Sequence, residues 1–135
     1  MTYKPPLILA ATMAVVMAAG NLSAKPALRD VAHITEGLIA VGIAYEISQE
    51  CESLDARFFR GISFLNGLKS HARGLGYSDA EIDAYTDDKQ EQNRLEGIAR
   101  TRLFSLGAIA GQPETYCAVG RAEIAAETPI GRLLR

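Results

Sequence analysis

The longest apolar pattern in the chain runs from Ala27 to Cys51, where hydrophobic side chains fall on nearly every side of a helix. Val31, Ile34, Leu38, Val41 and Tyr45 make one stripe, and Ile39, Ile43 and Ile47 make a second, about a third of a turn or more away. A helix apolar over so much of its circumference has to be covered by more than one neighbour. His33, Glu36 and Glu46 argue against a membrane span, since charges so placed would face lipid. Gly37 and Gly42 lower helix propensity and allow another helix to approach closely. After a turn at Glu52-Ser53-Leu54, the residues Phe58, Ile62, Leu65, Ala72 and Leu75 repeat at helical spacing, broadened by Phe59 and Phe64. This predicts a second helix with that stripe toward the core, N-capped by Ser53 or Asp55 and stopped at Gly74-Leu75-Gly76.

The sharpest local signal follows at Tyr77-Ser78-Asp79-Ala80-Glu81-Ile82. Ser78 and Glu81 have the spacing of a capping box, and Tyr77 and Ile82 that of a hydrophobic staple, so a helix starts at Asp79. Thr86 to Asn93 is polar all round. We read a short helix to Tyr85, a break recapped by Thr86 or Asp87, and a longer helix from about Asp88 to Leu106 with Leu95, Ile98, Ala99, Leu103 and Leu106 on one face. Gly107 to Gly111 is a loop. Pro113 opens another helix, on which Cys117, Gly120 and Ile124 share a side. Thr128-Pro129 stops it and starts a short final turn through Arg135, where Leu133 and Leu134 predict a docked rather than a free end. The pattern is that of an all-α protein, a small bundle of four to six helices.

The first residues change the picture of where this bundle resides. Lys4 supplies a positive start, Leu7 to Ala19 are thirteen mostly apolar residues without charge, and Leu22-Ser23-Ala24 ends in a small residue that a signal peptidase accepts. Residues 1–24 therefore read as a secretory signal peptide and 25–135 as a single helical domain, with a cut after Gly20 as the alternative. An uncleaved anchor would need about 20 apolar residues, and a buried helix of a cytosolic domain would not need these flanks. Without Lys4 the remainder carries 13 basic and 16 acidic residues, which gives no sign of a nucleic-acid partner. Charge alternates by segment: Lys25 to Asp55 carries −4, Arg57 to Arg73 +4, and Asp79 to Glu96 −5. Adjacent antiparallel helices with complementary surfaces account for this, with Arg57 and Arg60 placed beside the acidic first helix.

Candidate chemistry is sparse. Cys51 and Cys117 are the two cysteines, and in an exported chain they pair as a disulfide. Neither they nor His33 and His71 show the close spacings that hold a metal, and a Cys–His catalytic pair is the remaining alternative. The acidic cluster of Asp79, Glu81, Asp83, Asp87 and Asp88 lacks the alternating ligands and central glycine of a calcium loop and reads as a solvated helix end. No catalytic, cofactor-binding or metal-binding residue is assigned, and the expectation is a non-catalytic protein without a cofactor. The competing reading is a small-ligand binder or enzyme that uses His33 or His71 with nearby acidic residues.

The leader, the helix closing at Cys51, the capped Gly76-to-Ile82 segment, and the ending Tyr116-Cys117-Ala118-Val119-Gly120-Arg121-Ala122-Glu123-Ile124-Ala125 with Ile130-Gly131-Arg132-Leu133-Leu134-Arg135 carry a resemblance. The chain resembles a family of small secreted helical proteins of unknown function from Gram-negative bacteria, some encoded beside respiratory complex I. That resemblance implies association with a membrane respiratory complex at its periplasmic face, and so a periplasmic interaction or accessory protein; the apolar chain end at Leu133 and Leu134 is the partner-docking point expected from the residues themselves. An electron-carrying role is not implied, because the cysteine spacing of an iron–sulfur subunit is absent. Export is checked by the intact mass of the periplasmic protein, which is expected to begin at Lys25 or Asn21. A chain retaining Met1 in the membrane fraction would refute it.

Overall fold

A computed structural model describes residues 24–135; the signal-peptide reading lies outside them except for Ala24. A 3-10 turn at Leu28–Asp30 leads into α1 (Ala32–Glu50), followed by α2 (Phe58–Gly74), α3 (Asp79–Asp87), α4 (Lys89–Ser105), α5 (Pro113–Ala125) and a terminal 3-10 turn at Gly131–Leu133. The all-α bundle expected from the pattern is what forms, with five helices and no strand among the described residues. None of the described helices is long and apolar enough to cross a membrane.

Helix α1 is the central element. It lies against α2, α4 and α5 and against both short turns, as its apolar circumference requires. The second of its stripes faces the densest packing: Ile43 and Ile47 are fully buried, Ile39 nearly so, while Tyr45 at the end of the first stripe is 61% exposed. Glycines set how closely its neighbours come. A Cβ on Gly120 of α5 would lie 2.9 Å from an Ile47 methyl and 2.4 Å from Leu54 Cδ1, and one on Gly37 would lie 2.7 Å from both methyls of Leu68. Cys51 and Cys117 are bonded, S–S 1.97 Å with Cα atoms 5.2 Å apart, which ties the end of α1 to α5.

The capping box appears as expected, with Glu81 N–H donating to Ser78 Oγ (3.1 Å) and Ser78 N–H to Glu81 Oε2 (2.6 Å). Tyr77 and Ile82 are both buried in the smaller core cluster with Leu28, Ile34, Leu68 and Ala72. The break between α3 and α4 also forms, but its cap is Asp88 rather than Thr86 or Asp87. Asp88 Oδ1 accepts from the N–H groups of Gln90 and Glu91.

Four expectations need correction. The first helix does not run unbroken from Ala27, because Val31 is extended and separates the short turn from α1. Neither Ser53 nor Asp55 caps α2, which starts at Phe58. The chain before it is occupied instead by the C-terminus: Asp55 and Arg135 exchange both backbone hydrogen bonds (2.9 and 3.0 Å), and Arg57 N–H donates to Leu133 O (2.8 Å). The stripe assigned to the core is mostly outside. Phe58, Ile62, Leu65 and Leu75 are exposed and only Ala72 is buried, because Gly37 admits Leu68 and so turns the Phe64–Leu68–Ala72 side of α2 toward α1. Finally, the acids of α1 are met by α4, through Arg100–Glu46 (3.2 Å) and Arg102–Glu36, and not by Arg57 or Arg60.

Glu91 is the one buried charged residue among the described residues. It sits where α3, α4 and the first turn meet, hydrogen-bonded by Arg94, approached by Arg29 (3.5 Å), and accepting from the Tyr85 hydroxyl (3.2 Å). The Arg94 hydrogen bond holds its carboxyl below the usual range, and burial followed by the charge of Glu91 pushes Tyr85 up to about 12. A depressed carboxyl stabilises the fold above its unfolded pKa, and that contribution disappears as pH falls through the folded value.

Three substitutions test these contacts, each followed by urea unfolding. Gly120→Ala is expected to destabilise by about 1–3 kcal/mol through overpacking, whereas Gly67→Ala, in open space on exposed α2, is expected to stabilise by about 0.5–1 kcal/mol. Replacing Glu91 by Gln is expected to shrink the stability lost between pH 7 and pH 3, and an unchanged acid limb would show that Glu91 does not contribute to it.

Candidate functional site

The C-terminal clasp on Asp55 and Arg57 also sets the most conspicuous surface of the protein. With α2 delayed to Phe58, the side chains at its start project beside the terminal turn. They enclose a cleft of about 770 Å³ lined by Arg57, Phe58, Phe59, Arg60, Ser63, Phe64, Pro129, Arg132, Leu133 and Arg135. Phe58 is 69% and Phe59 84% exposed, and their rings meet edge to face at 5.5 Å. Two adjacent phenylalanines this open to water are unusual in a small domain, since each leaves a large apolar area unburied.

The charges around them are uncompensated. Among the described residues Arg57, Arg60 and Arg132 form no ion pair, and Arg135 has only a 4.0 Å contact with Asp55, both ends of it well exposed. Most arginines elsewhere on the bundle behave differently: Arg73 is held by Asp79 (2.7 Å), Arg94 by Glu91, Arg100 by Glu46 and Arg102 by Glu36, while Arg121 has only a 3.5 Å contact with Ser53 Oγ. Guanidinium groups beside aromatic surface are well suited to carboxylates and phosphates, which they bind in a bidentate fashion.

The positions singled out from the sequence fall in several places. Cys51 and Cys117 are joined and serve the fold. Leu133 and Leu134 are docked, as expected of the chain end, but on this chain's own core. At 5% and 2% exposure they are closed to any partner, which corrects their assignment as docking residues. Leu133 reaches the cleft only as part of its floor. The acidic cluster is spent on helix ends and surface pairs: Asp79 with Arg73, Glu81 in the capping box and with Lys25, Asp83 with Lys69, and Asp88 as the α4 cap. No group of three or more His, Cys, Asp or Glu gathers as a metal site among the described residues.

His33 and His71 are brought together. One stands in the first turn of α1 and the other in the last turn of α2, with ring centres 4.4 Å apart. Glu36, one turn along α1 from His33, is engaged by Arg102, whose hydrogen bond holds its pKa down. It is therefore a paired anion rather than a base poised near neutrality. A second, mostly apolar cleft of about 330 Å³ begins at His33 and shares Phe64 and Pro129 with the arginine cleft, so the two lie along one face.

The cleft escaped the sequence reading because Arg132 and Arg135 are more than 70 residues from Arg57 in the chain, and nothing local announces the backbone pairing that joins them. The signal that was present is the run Arg57-Phe58-Phe59-Arg60, whose phenylalanines helical periodicity assigns to a core-facing stripe and whose arginines charge assigns to the acidic first helix. No curated protein and no solved structure matches the chain. The bundle from Pro26 to Arg135 matches throughout the model of a family described as a family of unknown function, DUF5333, and the chain belongs to that family.

Proposed function

We propose that this is a non-catalytic interaction protein of the periplasm, which binds an acidic segment of a partner protein in the cleft between the start of α2 and the C-terminal turn. The observation that carries the reading is the convergence of Arg57, Arg60 and Arg132, free of ion pairs, on the exposed pair Phe58 and Phe59. Aromatic and arginine side chains are the residue types that dominate binding energy in protein interfaces. A carboxylate-bearing segment supplies the charge this rim lacks, and an apolar residue within it covers the rings. Export is supported by the disulfide, which persists in an oxidising compartment, and by the leader pattern. The resemblance to proteins encoded beside respiratory complex I makes the periplasmic face of that membrane complex the first partner to test.

The experiment is co-purification of solubilised membrane proteins with the tagged mature protein. Arg57→Glu with Arg60→Glu, and separately Phe58→Ser with Phe59→Ser, are expected to lower partner recovery at least tenfold while circular dichroism stays unchanged, since Phe58, Phe59 and Arg60 are exposed and Arg57 is only half-buried. Full recovery with both variants would overturn the reading. Equal binding to protein-free vesicles of anionic lipid would replace the protein partner with a membrane surface.

A further inference from the structure

We propose that His33 and His71 form a two-histidine clip that binds one divalent transition-metal ion across α1 and α2, copper(II) more tightly than nickel(II) or zinc(II). They are the two histidines of the chain, 38 residues apart in sequence, yet the fold places their rings 4.4 Å apart and tilted by 56°. Two imidazoles that share one ion at metal–nitrogen distances of about 2.0–2.1 Å have ring centres spaced by about 5 Å. The observed pair is thus within a small side-chain rotation of a chelate. Both residues are exposed, and no hydrogen bond or ion pair engages either ring among the described residues, so their nitrogens are open to a ligand.

The spacing is set by packing rather than by chance meeting of two long side chains. One turn along α1 from His33 is Gly37, and one turn back along α2 from His71 is Leu68. These two residues make the close contact that fixes how far apart the helices stand. Ala72, next to His71, is buried in the same seam. The imidazoles are therefore presented by rigid elements, which lowers the ordering cost of joining them through an ion.

The donor set selects the metal. Imidazole nitrogen suits copper, nickel and zinc, and affinity rises toward copper(II) in the first transition series. The two cysteines are bonded to each other, so no thiolate competes. Because no third His, Cys, Asp or Glu joins the pair, water fills the remaining positions and the ion is exchangeable rather than structural.

The test uses the mature protein with its disulfide intact, titrated calorimetrically with copper(II) chloride and then with nickel(II) and zinc(II), with thermal unfolding followed at each addition. One equivalent of copper is expected to bind and to raise Tm, since the ion joins two helices that separate on unfolding. His33→Gln and His71→Gln are each expected to weaken binding at least tenfold and to abolish the rise in Tm, with circular dichroism unchanged. Acidification is expected to weaken binding, because the ligands must be deprotonated. Copper bound by both single variants with wild-type affinity, as a site at the terminal amine would give, would overturn the proposal. So would a wild-type Tm that does not respond to bound copper.

Discussion

A helix with isoleucines pointing several ways has no stable place on a surface, and the burial of α1 is the constraint from which the remaining architecture follows. Ile47 is wholly enclosed where α5 comes in over it at Gly120, whose missing side chain leaves room for the Ile47 and Leu54 methyl groups. The disulfide acts at the same level: Cys117 lies one turn before Gly120 on α5, and Cys51 one turn after Ile47 at the end of α1. This close helix approach and the covalent link therefore reinforce each other. On the chain-entropy account a bridge spanning 66 residues restricts the unfolded chain by about 4 kcal/mol. For a domain whose total stability is on the order of 5–15 kcal/mol that is a large share.

Closing α5 onto α1 also decides where the chain ends. Leu134 packs within reach of Gly120, and Gly131 passes so close to α5 that a Cβ there would lie 2.0 Å from the Glu123 carbonyl oxygen. From that position the terminal residues pair with Asp55 and Arg57, and this pairing holds residues that would otherwise begin α2. A local preference, Ser53 or Asp55 as a cap worth about 1 kcal/mol, is overruled by backbone hydrogen bonds that complete the core. The cleft of arginines and phenylalanines is thus a by-product of how the core is closed.

Much of this was legible in the sequence wherever local chemistry decides the outcome. The capping box at Ser78 and Glu81, the recapped break before α4, Pro113 at the start of α5 and the docked chain end all rest on short-range rules, and all are present. The pairing of the cysteines followed from the compartment and the count. Which side of α2 faces inward was not legible, because that helix is apolar on two flanks and the choice depends on Gly37 admitting Leu68, a contact made 31 residues away. The meeting of His33 with His71 depends on the same contact and was hidden for the same reason. Arg57 and Arg60 were assigned to the acidic first helix on charge alone, although α4 supplies those partners from a position that only the tertiary fold reveals.

Helix α2 is consequently the least enclosed of the long helices. Of its seventeen residues only Leu68 and Ala72 are buried, and its main neighbours are α1, α3 and the terminal turn. Single exposed apolar residues need no explanation in a small protein. Phe58 and Phe59 are different, because they are adjacent, mostly uncovered and flanked by Arg57, Arg60 and Arg132, none of which forms an ion pair among the described residues. Such a rim repels a second cationic rim, while it leaves the rings open to an anionic surface. A partner that covers them would give the start of α2 the burial that the bundle itself does not provide, which couples binding to the least buried of the long helices.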